Sequence, residues 1–185
     1  MKKIPSLFQR DYLGNRLIKN IVVPGSEWVI AGEGKATRKY DGTCCMIQNG
    51  ELYARYDAKN GKTPPAGFIP AQDPDPITGH WTGWVKCERG NPQWKWHFEA
   101  FDTGELHDGT YELCGPRIQG NPEDFADHCL IPHGQDECQP PRTFEELYAW
   151  FIGKDIEGIV WHHLDGRMVK VKKKDFGLNR KDYFF

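Results

Sequence analysis

The chain is predicted to fold as α+β, mostly antiparallel sheet with a few flanking helices. Short runs of alternating apolar and polar residues recur along it. One pair is joined by Asn49-Gly50 and another around Asp165-Gly166, turn dipeptides that favour antiparallel pairing. Only one clear segment carries the i, i+3, i+4, i+7 spacing of an amphipathic helix. Hydrophobic residues make up 38% and charged residues 27% of 185 positions, enough to bury a core but short for two. The expectation is a single domain over residues 1–185.

Taken in order, the apolar run Ile18 to Val23 ends in Pro24-Gly25, and a second, Trp28-Val29-Ile30, leads into Gly32-Glu33-Gly34. That glycine pair lacks the Gly-Lys-Ser/Thr ending of a phosphate loop, so it reads as the turn that delivers the chain to Lys39. Thr43–Ile47 and Leu52–Tyr56 form a hairpin about Asn49-Gly50, with Lys39 expected at its entrance, held by a short turn. Asp57 to about Gly90 is expected to be irregular, rich in proline and glycine. Its Trp81 and Trp84 either stack bases or pin the loop to the core. Trp94–Phe101 alternates as a strand, followed by strands at Thr110–Gly115 and Cys129–Pro132. Thr143 and Glu146 form a capping box before Phe144, Leu147, Tyr148 and Phe151, a helical core stripe. The last strands are Gly158–His162 and Arg167–Lys172.

Composition excludes several classes. No apolar run reaches the roughly 20 residues of a membrane helix, and the N-terminus has no apolar stretch of a signal peptide, so no membrane and a cytoplasmic setting are expected. The six cysteines lack a Cys-x-x-Cys knuckle, which argues for reduced, partly core-packed thiols and against zinc. Adjacent Cys44 and Cys45 point to opposite faces of a strand. The net charge of −2 means that any nucleic acid is met by a local patch. Lys170, Lys172, Lys173, Lys174, Arg180 and Lys181 are the candidate, against the alternative of a solvated basic edge.

The charged residues that accompany strands are Lys39, Arg55, Glu112, Glu157, Lys170 and Lys172. In Val169-Lys170-Val171-Lys172 the valines share one face and the lysines the other. Two lysines on one face repel unless an anion, or solvent, lies between them. A lysine that loses its proton is a nucleophile. Lys39-Tyr40-Asp41-Gly42 on its own is too short to establish that role.

In order, these residues resemble the motifs of the covalent nucleotidyltransferase superfamily of nucleic acid ligases and capping enzymes. Lys39-Tyr40-Asp41-Gly42 matches the nucleophile motif and Arg55 the arginine motif. Glu112-Leu113-Cys114-Gly115, Asp155–Val160 and Val169-Lys170-Val171-Lys172 match the third, fourth and fifth. Lys39–Cys45, Ile118–Pro122, Leu130–Gly134 and Ile156–His162 are similar to the ATP-dependent 5′–3′ RNA ligase family that includes the vertebrate cytosolic enzyme. The similarity spans residues 33 to 175. Only 13 residues follow Lys172, so no appended oligonucleotide-binding domain is expected.

The resemblance implies a nucleotidyltransferase (ligase adenylation-domain) fold and a three-step reaction. Lys39 attacks ATP to form a lysyl–AMP adduct, AMP passes to an RNA 5′-phosphate, and a 3′-hydroxyl displaces it. Lys170 and Lys172 would neutralise phosphate charge and, with a divalent cation, lower the Lys39 pKa. Glu157 would hold that metal, Mg²⁺ or Mn²⁺. Glu112 would accept from the ribose hydroxyls, and Arg55 would contact ribose or a terminal phosphate. Asp41 would orient Lys39 or contact a metal-bound water, or simply shape the turn. His133 and Phe125 are the candidates to stack on adenine. A GTP-dependent capping-type guanylyltransferase and a catalytically inactive RNA-end-binding module are the competing readings.

Overall fold

The computed structural model describes residues 1–181 and has an α+β, largely antiparallel architecture. The chain forms two compact units, one of Met1–Lys3 with Asp41–His133, the other of Ile4–Tyr40 with the chain from Gly134 on. Each has its own hydrophobic core.

The second unit holds a four-stranded sheet in the order β10-β3-β11-β12. Its strands are β3 (Lys35–Lys39), β10 (Glu137–Cys138), β11 (Gly158–His162) and β12 (Met168–Lys172), all antiparallel. A hairpin of β1 (Phe8–Arg10) and β2 (Ile18–Val22), a short helix α1 (Glu27–Ile30) and helix α3 (Phe144–Phe151) complete it. Alternation explains the sheet. Val169 and Val171 are buried on one face with Ile159, Trp161, Leu147 and Phe151, while Lys170 and Lys172 take the other. The Lys170 backbone is paired on its outer side, its N–H donating to Pro5 O and its carbonyl accepting from Leu7 N–H.

The first unit holds a six-stranded sheet in the order β6-β7-β5-β4-β8-β9. Its strands are β4 (Thr43–Gln48), β5 (Glu51–Ala58), β6 (Ile69–Pro70), β7 (Trp81–Lys86), β8 (Gly109–Cys114) and β9 (Cys129–Pro132). Asn49 and Gly50 both take positive φ, as a tight hairpin turn requires. Helix α2 (Lys95–Phe101) covers this core.

Five expectations are corrected. Trp94–Phe101 is not a strand: Pro92–Trp94 forms a 3₁₀ turn that runs into α2, capped by the Asn91 side chain accepting from Gln93 N–H. Trp94, His97, Phe98 and Phe101 lie at i, i+3, i+4, i+7, a helical stripe that the aromatic alternation disguised. Trp28–Ile30 belongs to α1 rather than an extended run. The stretch from Asp57 to Gly90 is partly ordered, because β7 pairs with β5 and buries Trp84. That bears out the core-pinning reading for Trp84. Lys39 ends β3 instead of opening the hairpin, and Tyr40–Gly42 lead from it into β4. Finally, Thr143 is the N-cap of α3, but its hydroxyl donates to the Glu146 carboxylate (2.6 Å) and not to a backbone group.

The basic C-terminal run is also not a uniform solvated edge. Lys173 is 1% exposed and its ammonium donates to the carbonyls of Lys154 and Arg180. Arg180 pairs with Asp155 at 2.5 Å. None of the six cysteines is in a disulfide, and among the described residues no helix is long and apolar enough to cross a membrane.

Candidate active site

In the second unit the pairing register fixes the site. Gly158 on β11 lies opposite Lys39 on β3 and opposite Lys172 on β12. Directly opposed residues share a face, so the two lysines flank a residue with no side chain. A Cβ at Gly158 would stand 2.3 Å from the Val171 carbonyl, a distance that only glycine tolerates. Glu157, one residue earlier, sends one oxygen to each ammonium. Oε2 accepts from Lys39 Nζ at 2.5 Å and Oε1 from Lys172 Nζ at 2.5 Å.

The carboxylate is 8% exposed and the two lysines 20% and 21%. Burial alone would raise the Glu157 pKa, but the Lys39 and Lys172 charges and hydrogen bonds outweigh it and hold the carboxyl below its ordinary value. Lys170 is lowered to about 8, first by burial and then by repulsion from Lys172 and Lys39. Lys39 and Lys172 thus share the Glu157 carboxylate, and the Lys170 charge interacts with both of them.

The sign of the Lys170 effect follows from proton counting. Between about pH 8 and its ordinary value of 10.5 the unfolded chain holds a proton on this amine that the folded chain has shed. Stability therefore rises with pH across that window, and the cost of the buried cation is fully present below it. In urea melts, Lys170→Met is expected to be more stable than wild type at pH 7, with the difference narrowing as pH approaches 10. A constant difference would remove burial of a charge as its cause.

Around the lysines, Tyr40 OH donates to Asp136 Oδ2 (2.9 Å) and the Arg38 guanidinium lies 4.7 Å from the Tyr40 ring centroid. Neither Asp136 nor the stacking has a local sequence signal.

In the first unit Glu112 is the centre. It lies on β8 opposite Cys44 of β4, and its Oε2 and Oε1 engage His133 Nε2 (2.9 Å) and Gly42 N–H (3.1 Å). The other His133 nitrogen meets Thr110 Oγ1 at 3.0 Å, so the ring is held at both ends. The Gly42 position explains its residue type. A Cβ there would lie 2.1 Å from Leu113 O and 3.0 Å from Glu112 Cγ. Gly42→Ala must push β4 off β8 and is expected to cost about 1–3 kcal/mol, as overpacking does. A denaturant midpoint unchanged from wild type would show that the strands accommodate it.

Asp41 N–H donates to Glu123 Oε1 (2.8 Å), a partner that nothing in the local pattern signals. Arg55 lies over the Trp84 ring at 4.8 Å and donates to the Met1 carbonyl at 2.5 Å. Phe125 sits in a local loop, its N–H and carbonyl both bonded to the Asn121 side chain. Cys44 Sγ, a Glu112 oxygen and a His133 nitrogen lie within 4.8 Å of one another.

Sequence comparison places this geometry. A family model described as RNA ligase 1 matches residues 100–183, a span that includes Glu112, His133, Glu157, Lys170 and Lys172. The protein named RNA ligase 1 from Pongo abelii is 30% identical over 217 aligned positions, covering 77% of this chain and 67% of the relative. The chain belongs to the RNA ligase 1 family. Proteins of that name from Rattus norvegicus and Danio rerio are 29% and 26% identical, with the same coverage of each chain. In this family member, then, the candidate site residues fall in two groups. Lys39, Glu157, Lys170 and Lys172 lie in one unit, and Asp41, Arg55, Glu112 and His133 in the other.

Proposed function

We propose that this chain is an ATP-dependent RNA ligase that joins 5′-phosphate and 3′-hydroxyl ends through a lysyl–AMP intermediate on a nucleotidyltransferase fold. Family membership supports RNA joining. The observation that carries the chemistry is the Lys39–Glu157–Lys172 arrangement with Lys170 beside it. With all three amines protonated and Glu157 ionised, the cluster has an excess of two positive charges, partly withdrawn from water. A triphosphate supplies the missing negative charge.

In the proposed first step Lys39 Nζ, having given up a proton, forms a bond to the α-phosphorus of ATP. The bond from that phosphorus to the pyrophosphate oxygen breaks, and pyrophosphate leaves with the electron pair. Glu157 aims the amine, and the proton passes to solvent. Lys170 and Lys172 compensate charge on the phosphate oxygens.

Glu112 accepts from the ribose hydroxyls, and its rigid placement by Gly42 N–H and His133 suits that task. His133, tied at both nitrogens, offers a fixed ring face to adenine. Arg55 contacts ribose or a terminal phosphate, and Asp41 orients the turn that follows the nucleophile.

A divalent cation fits in part. Each Glu157 oxygen already accepts from a lysine but retains a lone pair, and Mg²⁺ characteristically takes one or two carboxylates with phosphates and waters. Glu157 is the residue that would hold it. When bound, the ion would neutralise phosphate charge.

The test is intact mass after incubation with Mg²⁺ and either ATP or GTP. ATP is expected to add about 329 Da, one AMP joined through a phosphoramidate. Addition of GMP instead would move the reading to capping. No adduct from folded, AMP-free protein would leave an RNA-end-binding module. A 5′-phosphorylated nicked RNA then reports whether the adduct is used for sealing.

A further inference from the structure

We propose that Cys44, Glu112 and His133 form a binding site for a thiophilic divalent cation of the zinc class. Neither the ligase chemistry nor the family match calls for such a site. The three residue types are the usual zinc ligands, and three protein ligands with a fourth position open is the pattern of accessible zinc sites. The sheet assembles them. Cys44 and Glu112 are direct cross-strand partners on β4 and β8, so their side chains leave the same face. His133 follows β9 on the far side of β8, with its backbone N–H bonded to Thr110 O.

The donor atoms lie within 4.8 Å of one another. Around a tetrahedral zinc they would stand about 3.3–3.7 Å apart, so a small inward adjustment brings all three onto one ion. The surroundings are those of a built metal site. His133 Nδ1 meets the Thr110 hydroxyl, which accepts as readily as it donates, so Nδ1–H can be held while Nε2 turns its lone pair to a metal. Glu112 Oε1 is fixed by Gly42 N–H, and the contact between Oε2 and His133 Nε2 is the one an ion replaces, both atoms turning to the metal.

Cys44 and His133 are partly exposed and Glu112 is nearly buried, which gives an ion a route in and one firm anchor. On coordination the metal–sulfur bond forms and the thiol proton passes to solvent. The Arg55 guanidinium and the Met1 ammonium interact with Cys44, cations beside the site that a bound metal must tolerate.

One consequence rests on the ligase reading. The ion takes the Glu112 carboxylate that the proposed function gives to ribose, so metal and nucleotide exclude each other. Zinc then acts as an inhibitor of adenylylation, distinct from the Mg²⁺ that supports it.

Cobalt(II) tests the site directly, because a cysteine thiolate bound to it gives an intense near-ultraviolet charge-transfer band and tetrahedral visible bands. Full-length protein, reduced and metal-free, is titrated with Co²⁺, then with Zn²⁺. The expected result is a one-equivalent band, displaced by Zn²⁺, lost in Cys44→Ser and weakened at least tenfold in affinity in His133→Ala. A band that persists in Cys44→Ser, or none in wild type, overturns the proposal. Far-ultraviolet circular dichroism of each variant separates loss of a ligand from loss of fold. Repeating the titration with excess AMP, which carries the ribose but chelates Co²⁺ only weakly, separates the two readings. Weaker cobalt binding supports both, while unchanged binding keeps the metal site and overturns only the placement of ribose on Glu112.

Discussion

Lys39→Arg is expected to yield a folded protein that takes up no AMP. The guanidinium keeps a cation beside Glu157, so the ion pair that closes β3 onto β11 survives. What it lacks is a usable lone pair, since an arginine stays protonated at any working pH. Adduct formation should fall by at least about 10³-fold, the scale on which loss of a covalent nucleophile acts. Lys39→Ala should give the same loss with a small drop in stability, because Glu157 still pairs with Lys172. Intact mass with ATP measures the adduct, and thermal melts measure the fold. A labelled Lys39→Arg protein would place the nucleophile elsewhere, and peptide mapping would then look first at Lys170 and Lys172.

Glu157→Gln has the second large effect and acts on stability and chemistry together. The amide matches the carboxylate in shape but leaves Lys39 and Lys172 without their shared counter-charge. Breaking a buried pair costs about 3–5 kcal/mol, and the lower end applies here because each lysine keeps about a fifth of its side chain exposed. The pH dependence has a definite sign. The Glu157 pKa is lowered in the folded chain, so its contribution is fully present above the ordinary carboxylate value and disappears as pH falls through the depressed one. The gap between wild type and Glu157→Gln should therefore close in acid. Urea midpoints from pH 7 down to pH 3 provide the check, and a gap that stays constant would mean that the loss comes from packing. Adenylylation should fall as well, because Lys39 loses the group that aims it.

Much of this was legible in the chain itself. The hairpin about Asn49-Gly50, the alternation that separates Val169 and Val171 from Lys170 and Lys172, and the α3 stripe all arise from neighbours within a few residues. Such short-range patterns depend on backbone geometry and face periodicity, which a sequence states openly. The same locality misled at Trp94–Phe101. Aromatic alternation there imitates a strand, while Asn91 and Pro92 had already marked a helix start. It misled again at Trp81–Lys86, where flanking prolines and glycines hid a strand whose partner is β5.

The site shows the division most clearly. The order Lys39, Arg55, Glu112, Glu157, Lys170, Lys172, and with it the family, were determined by the sequence alone. That Glu157 would reach Lys39, 118 positions away, and share itself with Lys172 was decided by the register of β3, β11 and β12. That Cys44 would stand opposite Glu112 beside His133 was decided by the register of β4 and β8. Residue type and local period are properties of the chain. Which distant charges meet is decided when apolar faces are buried, because a one-residue slip of register would turn every one of these side chains away.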